Sequence, residues 1–413
     1  MTSARSKILT FYEPSLKGVL RSLLWCLLFL VLFSAATPRL PRQLPRETLS
    51  AAEDLADGGK IIPRLTAEDD HQTVLDGYSP DPRKRHIAWI TDSAGLVLAS
   101  DKHLFTAKPE DFSPLAKFVA RELEGRHGMR DFDIPLYLRP GIGSVDFLVL
   151  SQLALREKPD LIVIPINQVW FFSHYQVAKS SSFFNLAPEL WLLRPELWSM
   201  IPMFCSPLQD LWALLGSRLA IIRDAVPVKK ALEKDYSGLF HWLYGADAPA
   251  TNSGSDVVLL QLNLRRGATL DLHDASGKAQ MNLVYRAVMD RNSPQAENSF
   301  ATAAFFELIS ILKESGVPVL IYDSPLADYF YGFPATAAKI RETQEFLEST
   351  AKGLSGTNIR IIARVPEPVR RSITFRKNDG FHADDPGNFS AFLADQIWLM
   401  LKQAEDKKDR NGK

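Results

Sequence analysis

The sequence predicts an α/β fold in which a mostly parallel sheet carries helices on both sides. Three observations point to it. Five short runs read as strands, and most are continuous and rich in β-branched residues, which suits strands covered on both faces. Amphipathic segments of helical length lie between them, and strand–helix alternation builds parallel sheets. The chain has 413 residues, 46% of them hydrophobic and 23% charged, enough for one large domain with insertions or for two domains.

In chain order, residues 1–18 read as a cytoplasmic tail. The stretch VLRSLLWCLLFLVLFSAATP starts at Val19 and is almost wholly apolar to Ala36, where Pro38 stops it. Residues 19–36 nearly cross a bilayer if Arg21 snorkels to the surface. The alternative is a cleaved signal peptide, since Ser34, Ala35 and Ala36 resemble a small-residue cleavage site. Either way, the remainder is expected outside the cytoplasm. Residues 37–84 begin with TPRLPRQLPRETL and continue polar and turn-rich, the character of a tether. Cys26 and Cys205 are the two cysteines, and their placement predicts no intrachain disulfide.

A core domain is expected over 85–405, with a disordered tail at 406–413. The predicted strands are HIAWIT (86–91), DLIVIPI (160–166), DVVLLQL (256–262), VPVLIYD (317–323) and NIRIIA (358–363). One helix begins at Ser113 as cap with Pro114 in the first turn. SVDFLVLSQLALREK precedes the second strand. SFATAAFFELISILKESG and ATAAKIRETQEFLESTAKG precede the fourth and fifth. In the last helix Asp385 caps, Pro386 opens, and Phe389, Phe392, Leu393, Ile397 and Met400 make one apolar stripe. Residues 171–250 break the rhythm with Trp, Pro and Leu and no clean period. They predict a helical, aromatic-rich insertion, either capping the core or lying against a membrane or a membrane partner.

Charge excludes one class of function. Lys+Arg and Asp+Glu both total 48, and no basic, aromatic-interleaved stripe offers a nucleic-acid surface. The glycines of LRPGIGS lack the spacing of a phosphate or dinucleotide loop, so no cofactor is expected. DGFHADD is a weak metal set, because Asp385 suits a helix cap and no second histidine accompanies His382; no metal is expected.

The chemistry-bearing residues fall at strand ends. Ser93 follows the first buried strand in HIAWITDSAG, where open α/β sheets place their sites. Gly141 and Gly143 mark a turn before a helix, Asn167 follows the second strand, and Asp379 and His382 share a loop near the C-terminus. Such parts make one device. His382 would take the proton from the Ser93 hydroxyl, and Asp379 would hold the imidazole in its working tautomer. The oxyanion would meet the Ser93 N–H, a glycine N–H (Gly141 preferred over Gly143) and the Asn167 amide. Asp323 and Ser324, at the end of a later strand, are candidates to line the substrate pocket.

This order of blocks resembles the SGNH/GDSL esterases and acyltransferases, over roughly residues 86–400. The chain departs from their pattern at Thr91, Ala94, Pro165 and Gln168. The resemblance implies a three-layer SGNH-type sandwich with Ser93 as nucleophile, His382 as base, Asp379 as its partner, and Gly141 and Asn167 as oxyanion donors. With the N-terminal span, the layout is similar to membrane-anchored SGNH-like proteins of envelope O-acylation. That implies a periplasmic domain transferring a short acyl group, acetyl foremost, to an envelope polysaccharide or glycan. It further implies a multi-pass membrane O-acyltransferase as partner. A deacylating esterase and a silent scaffold that docks such a partner are the alternatives.

Overall fold

Arg85–Thr91 forms a strand with six consecutive buried residues, and no polar face remains to be offered to water. That pattern requires cover on both sides, and the surrounding elements supply it. The computed structural model describes residues 53–54, 60–68, 71–74, 80–98, 112–138, 142–168, 171–172, 274–289, 300–376 and 380–411, with Leu24, Trp25 and Leu28 in a helical stretch. The chain divides into two compact units, one of Met1–Pro41 and Trp212–Ala248, the other of Arg42–Leu211 and Pro249–Lys413. The elements below belong to the second.

Its strands are β1 (Glu53–Asp54), β2 (Lys60–Pro63), β3 (Leu65–Glu68), β4 (His71–Val74), β5 (Arg85–Thr91), β6 (Leu96–Leu98) and β7 (Phe112–Pro114). After them come β8 (Phe132–Leu138), β9 (Leu161–Ile166), β10 (Val319–Asp323), β11 (Ile359–Ile362), β12 (Thr374–Phe375) and β13 (Ala383–Asp385). The helices are α1 (Leu115–His127), α2 (Ser144–Arg156), α3 (Ala275–Met289), α4 (Phe300–Ser315), α5 (Pro334–Gly353), α6 (Glu367–Arg371) and α7 (Asn388–Asn411).

Among the described residues the main sheet has seven strands, in the order β1-β2-β8-β5-β9-β10-β11. All its pairings are parallel except that of β1 with β2. Side chains alternate between faces. Ile87, Trp89, Leu161, Val163, Leu320 and Tyr322 meet Val119 and Leu123 of α1 and Leu393 and Ile397 of α7. The residues between them, such as Ala88, Ile90, Ile162 and Ile164, are also buried, on the face where α2 and α4 pack together. Phe171 and Phe172 extend that side through ring contacts with Phe147 and Phe305. Among the described residues a second sheet has four strands, in the order β12-β13-β6-β7.

Several expectations change. Residues 60–63, read as tether, form β2 inside the main sheet, where Ile61 pairs with Ile134 and is buried. FDIPLYL, whose proline removes a ladder donor, is not among the predicted strands. It is β8, whose pairing with β5 skips Ile134 and Pro135. Ser113 lies in β7, and Pro114 takes the N-cap of α1. Helix α3 was not predicted. Helix α7 continues to Asn411, through most of the expected tail. The predicted strand 256–262 and most of the insertion 171–250 lie outside the described residues. So does the predicted span 19–36, apart from the helical and exposed Leu24, Trp25 and Leu28. Among the described residues no helix is long and apolar enough to cross a membrane.

Arg64, directly after β2, shows how firmly this segment is built in. Its side chain is 4% exposed and contacts Glu157 at the end of α2, while the same carboxylate accepts the Tyr137 hydroxyl at 2.8 Å. Removing one partner of a buried ion pair strands the other. Arg64→Ala is therefore expected to destabilise the protein by about 3–5 kcal/mol in urea unfolding. A tether residue would change stability by no more than about 0.5 kcal/mol.

Candidate functional site

Strand β5 lies between β8 and β9. The chain leaves β8 on one side of β5 and returns as β9 on the other, so a topological switch point falls at the carboxyl end of β5. Open α/β sheets bind ligands in the crevice at such a point. Ser93 follows β5 and Asn167 follows β9. Gly143, after β8, is the N-cap of α2.

Asp92 links the first two. It is fully buried and caps the short 3-10 turn Ser93–Gly95. One carboxylate oxygen accepts the Ala94 N–H at 3.0 Å, and the other accepts the Asn167 amide at 2.7 Å. Burial pushes the Asp92 carboxyl up to about 6; the Asn167 amide, the Ala94 N–H and the nearby charge of His382 pull the other way. An amide nitrogen carries two hydrogens. Donating one to Asp92 fixes the plane of the Asn167 side chain and hence the direction of the second. Ser93 itself is half-buried on the turn. The turn is tight, since a Cβ on Gly95 would collide with the Thr91 side chain.

His382 reaches this end of the sheet through the small sheet. Ala383 pairs in parallel with Val97, which sets the preceding His382 level with Leu96, the residue that closes the Ser93 turn. The loop is fixed at several points. Arg376 donates its N–H to the His382 carbonyl at 3.0 Å and directs its guanidinium to Asp384 at 3.1 Å. The Phe381 ring stacks on Tyr285 with centroids 5.4 Å apart. Gly380 has φ +64 and donates nothing in side-chain bulk; a Cβ there would lie 2.5 Å from the Tyr329 hydroxyl. Only glycine tolerates both conditions. His382 is 8% exposed, and its charge acts on the Asp92 carboxyl.

The remaining candidates have different fates. Asp379 and Gly141 lie outside the described residues. The Gly143 N–H is engaged by the Asp146 carboxylate at 3.0 Å. Asp323 is 3% exposed, and its two oxygens accept the Gln168 amide at 2.6 Å and the Gln344 amide at 3.0 Å. Burial raises its carboxyl to about 7 against the pull of those amides. Ser324 donates its N–H to Ile166 and borders a small cavity of about 20 Å³. Ala94, Val97, Leu115, Tyr322 and Phe389 also line that cavity.

Thus Ser93, Asn167 and His382 gather at one end of the sheet, and Asp92 and Gln168 join them unforeseen. The signal for Asp92 was legible: aspartate directly after a buried strand and before Ser-Ala-Gly is a capping pattern. Gln168 and Gln344 could be found only through their partner. Comparison with models of protein families and with curated proteins gives no match.

Both raised carboxyls bear on stability. Burial holds both above the ordinary carboxylate range of about 4, Asp92 at about 6 and Asp323 at about 7. Between about pH 4 and 7 the native state therefore binds more protons than the unfolded chain, and stability falls as pH rises through that window. Asp323→Asn removes one of the two groups, and the Gln168 amide can turn its oxygen toward the new donor. The thermal midpoint of wild type is expected to drop relative to Asp323→Asn between pH 4 and pH 8. Parallel pH profiles for the two proteins would remove Asp323 from this account.

Proposed function

We propose that the chain is an extracytoplasmic acyltransferase of SGNH type, tethered through residues 19–36. It moves a short acyl group, acetyl foremost, to a hydroxyl of an envelope polysaccharide by way of an acyl-serine on Ser93. One observation carries the reading: at the switch point, the Asp92 carboxylate joins the Ser93 turn to the Asn167 amide at 2.7 Å, and the strand after His382 pairs beside that turn.

In this reading His382 takes the proton of the Ser93 hydroxyl as its oxygen attacks the acyl carbonyl. The Asn167 amide, aimed by Asp92, donates to the oxyanion. Collapse expels the donor's leaving group, which takes the proton from His382. A sugar hydroxyl then loses its proton to His382, attacks the acyl-serine and regenerates the Ser93 hydroxyl by the reverse proton transfer. The Asp92 carboxylate favours the imidazolium formed on the way, and Asp379 remains the proposed partner that orients the ring. The cavity of about 20 Å³ beside Ala94 has room for one group the size of water or methyl, which supports a short acyl chain.

A serine-reactive fluorophosphonate should label wild type and fail on Ser93→Ala and His382→Ala; an unlabelled wild type would leave a scaffold. Asn167→Ala should slow turnover by about 10²–10³-fold. Deleting the protein should remove acyl groups from the envelope glycan, whereas a gain would make it an esterase.

Acyl length offers a separate check. Leu115→Ala enlarges the cavity, so the preference for acetyl over butyryl esters should fall by about tenfold or more. An unchanged ratio would separate the cavity from the acyl group.

A further inference from the structure

The sheet ends at β11, and the backbone there has a definite polarity. The Val319 N–H donates to the Asn358 carbonyl at 2.9 Å, and Val319 stands level with Ile359. In a parallel ladder this phase turns the backbone groups of residues 358, 360 and 362 toward β10. The groups of Ile359 and Ile361 then point outward. The Ile359 N–H is met by the Thr357 hydroxyl at 3.2 Å. The Ile359 carbonyl and both polar groups of Ile361 face out from the edge, and no strand pairs there among the described residues.

Proteins usually blunt such an edge with proline, a bulge or an overlying element. Here Ile-Arg-Ile-Ile contains no proline, and its last three residues line a groove of about 450 Å³. Glu348 and Lys352 of α5 and Phe392 and Gln396 of α7 belong to its walls. Four residues of strand offer about 13 Å of ladder. The charges select what can fill it. Arg364 is paired with Glu348 at 2.6 Å, whereas Lys352 and Arg360 border the groove without a carboxylate partner among the described residues.

We propose that the β11 edge docks an extended acidic segment of a partner protein, which adds to the sheet as an eighth main-sheet strand beside the seven present. Main-chain bonds to Ile359 and Ile361 hold such a segment, the half-buried Ile361 and Ile362 pack against its apolar side chains, and Lys352 and Arg360 pair with its carboxylates. A second copy of the chain fits less well, because antiparallel joining of two β11 edges sets the same cations against each other. This inference is independent of the chemistry at Ser93.

The test uses the full-length chain and two fluorescein-labelled synthetic peptides, one alternating glutamate with valine and one alternating lysine with valine. The glutamate peptide should bind saturably by fluorescence anisotropy, and the lysine peptide should not. Ile361→Pro removes an outward N–H while leaving the ladder to β10 intact, and it should weaken binding by about tenfold or more. The Lys352→Glu/Arg360→Glu double variant should weaken it similarly and admit the lysine peptide. An unchanged thermal midpoint, read on each variant, shows that the fold survives; Arg360→Gln with Lys352→Gln serves if it does not. No saturable binding, or binding indifferent to these changes, overturns the proposal. So does a dimer in sedimentation that Ile361→Pro dissociates, since the edge would then belong to a second copy.

Discussion

The loop after β9 is tied to both neighbouring strands by consecutive residues. Asn167 donates to Asp92 at the end of β5, and Gln168 donates to Asp323 at the end of β10. Each bond is short, buried and directed at a carboxylate, the stronger class of hydrogen bond. Because the two side chains reach opposite ways, the loop cannot slide toward one strand without stretching its bond to the other. The Asn167 amide is therefore fixed before any ligand arrives. A donor is useful to a developing oxyanion only if it needs no reorganisation at that moment, and this double tie meets that condition.

The second requirement is to bring the histidine loop across a large sequence separation. The four-stranded sheet does this with very little material. β6 and β13 are three residues each, and they pair through Ala383 and Val97. So short a pairing is weak alone, but the loop is held from behind as well. The Gly380 carbonyl accepts the Ala327 N–H, and Phe381 packs among Tyr285 and Phe330. Buried aromatic contacts contribute more than three residues of ladder can. The position of His382 thus depends on the core beneath it more than on the strand it precedes.

How much of this was legible follows from the scale of each signal. The apolar runs of β5, β9 and β10 announce themselves, because burial on both faces leaves a period-free hydrophobic stretch, and β11 shows through its three β-branched isoleucines. β8 hides behind Pro135, and β2 hides in a polar context, its Ile61 and Ile62 set between Gly58, Gly59 and Lys60 on one side and Pro63 and Arg64 on the other. β6, β12 and β13 are too short to carry any period. At the site, Ser93, Asn167 and His382 could be picked out as residue types at strand ends and loops. Asp92 carries no signal of a site by itself, because an aspartate before a serine turn reads as an ordinary cap. The Asp323 cluster was read as a pocket wall because its partners are distant in sequence: Gln168 lies on another strand's loop and Gln344 inside a helix. Hydrogen bonds between residues so far apart have no local pattern.

Two buried carboxyls are an expensive way to hold one loop. Desolvation drives both toward the neutral form, and well-packed apolar residues in their place would often be neutral or stabilising. Apolar side chains, however, fill volume without fixing direction. A carboxylate that accepts an amide N–H determines where the rest of that amide points, and leucine in the same space leaves Asn167 and Gln168 free to rotate. In the proposed reaction the loss falls on geometry: a donor displaced by a fraction of an ångström no longer meets the oxyanion. Stability given up at Asp92 and Asp323 is therefore the physical counterpart of precision at Asn167, and it accounts for charge at a place where the hydrophobic effect alone would put none.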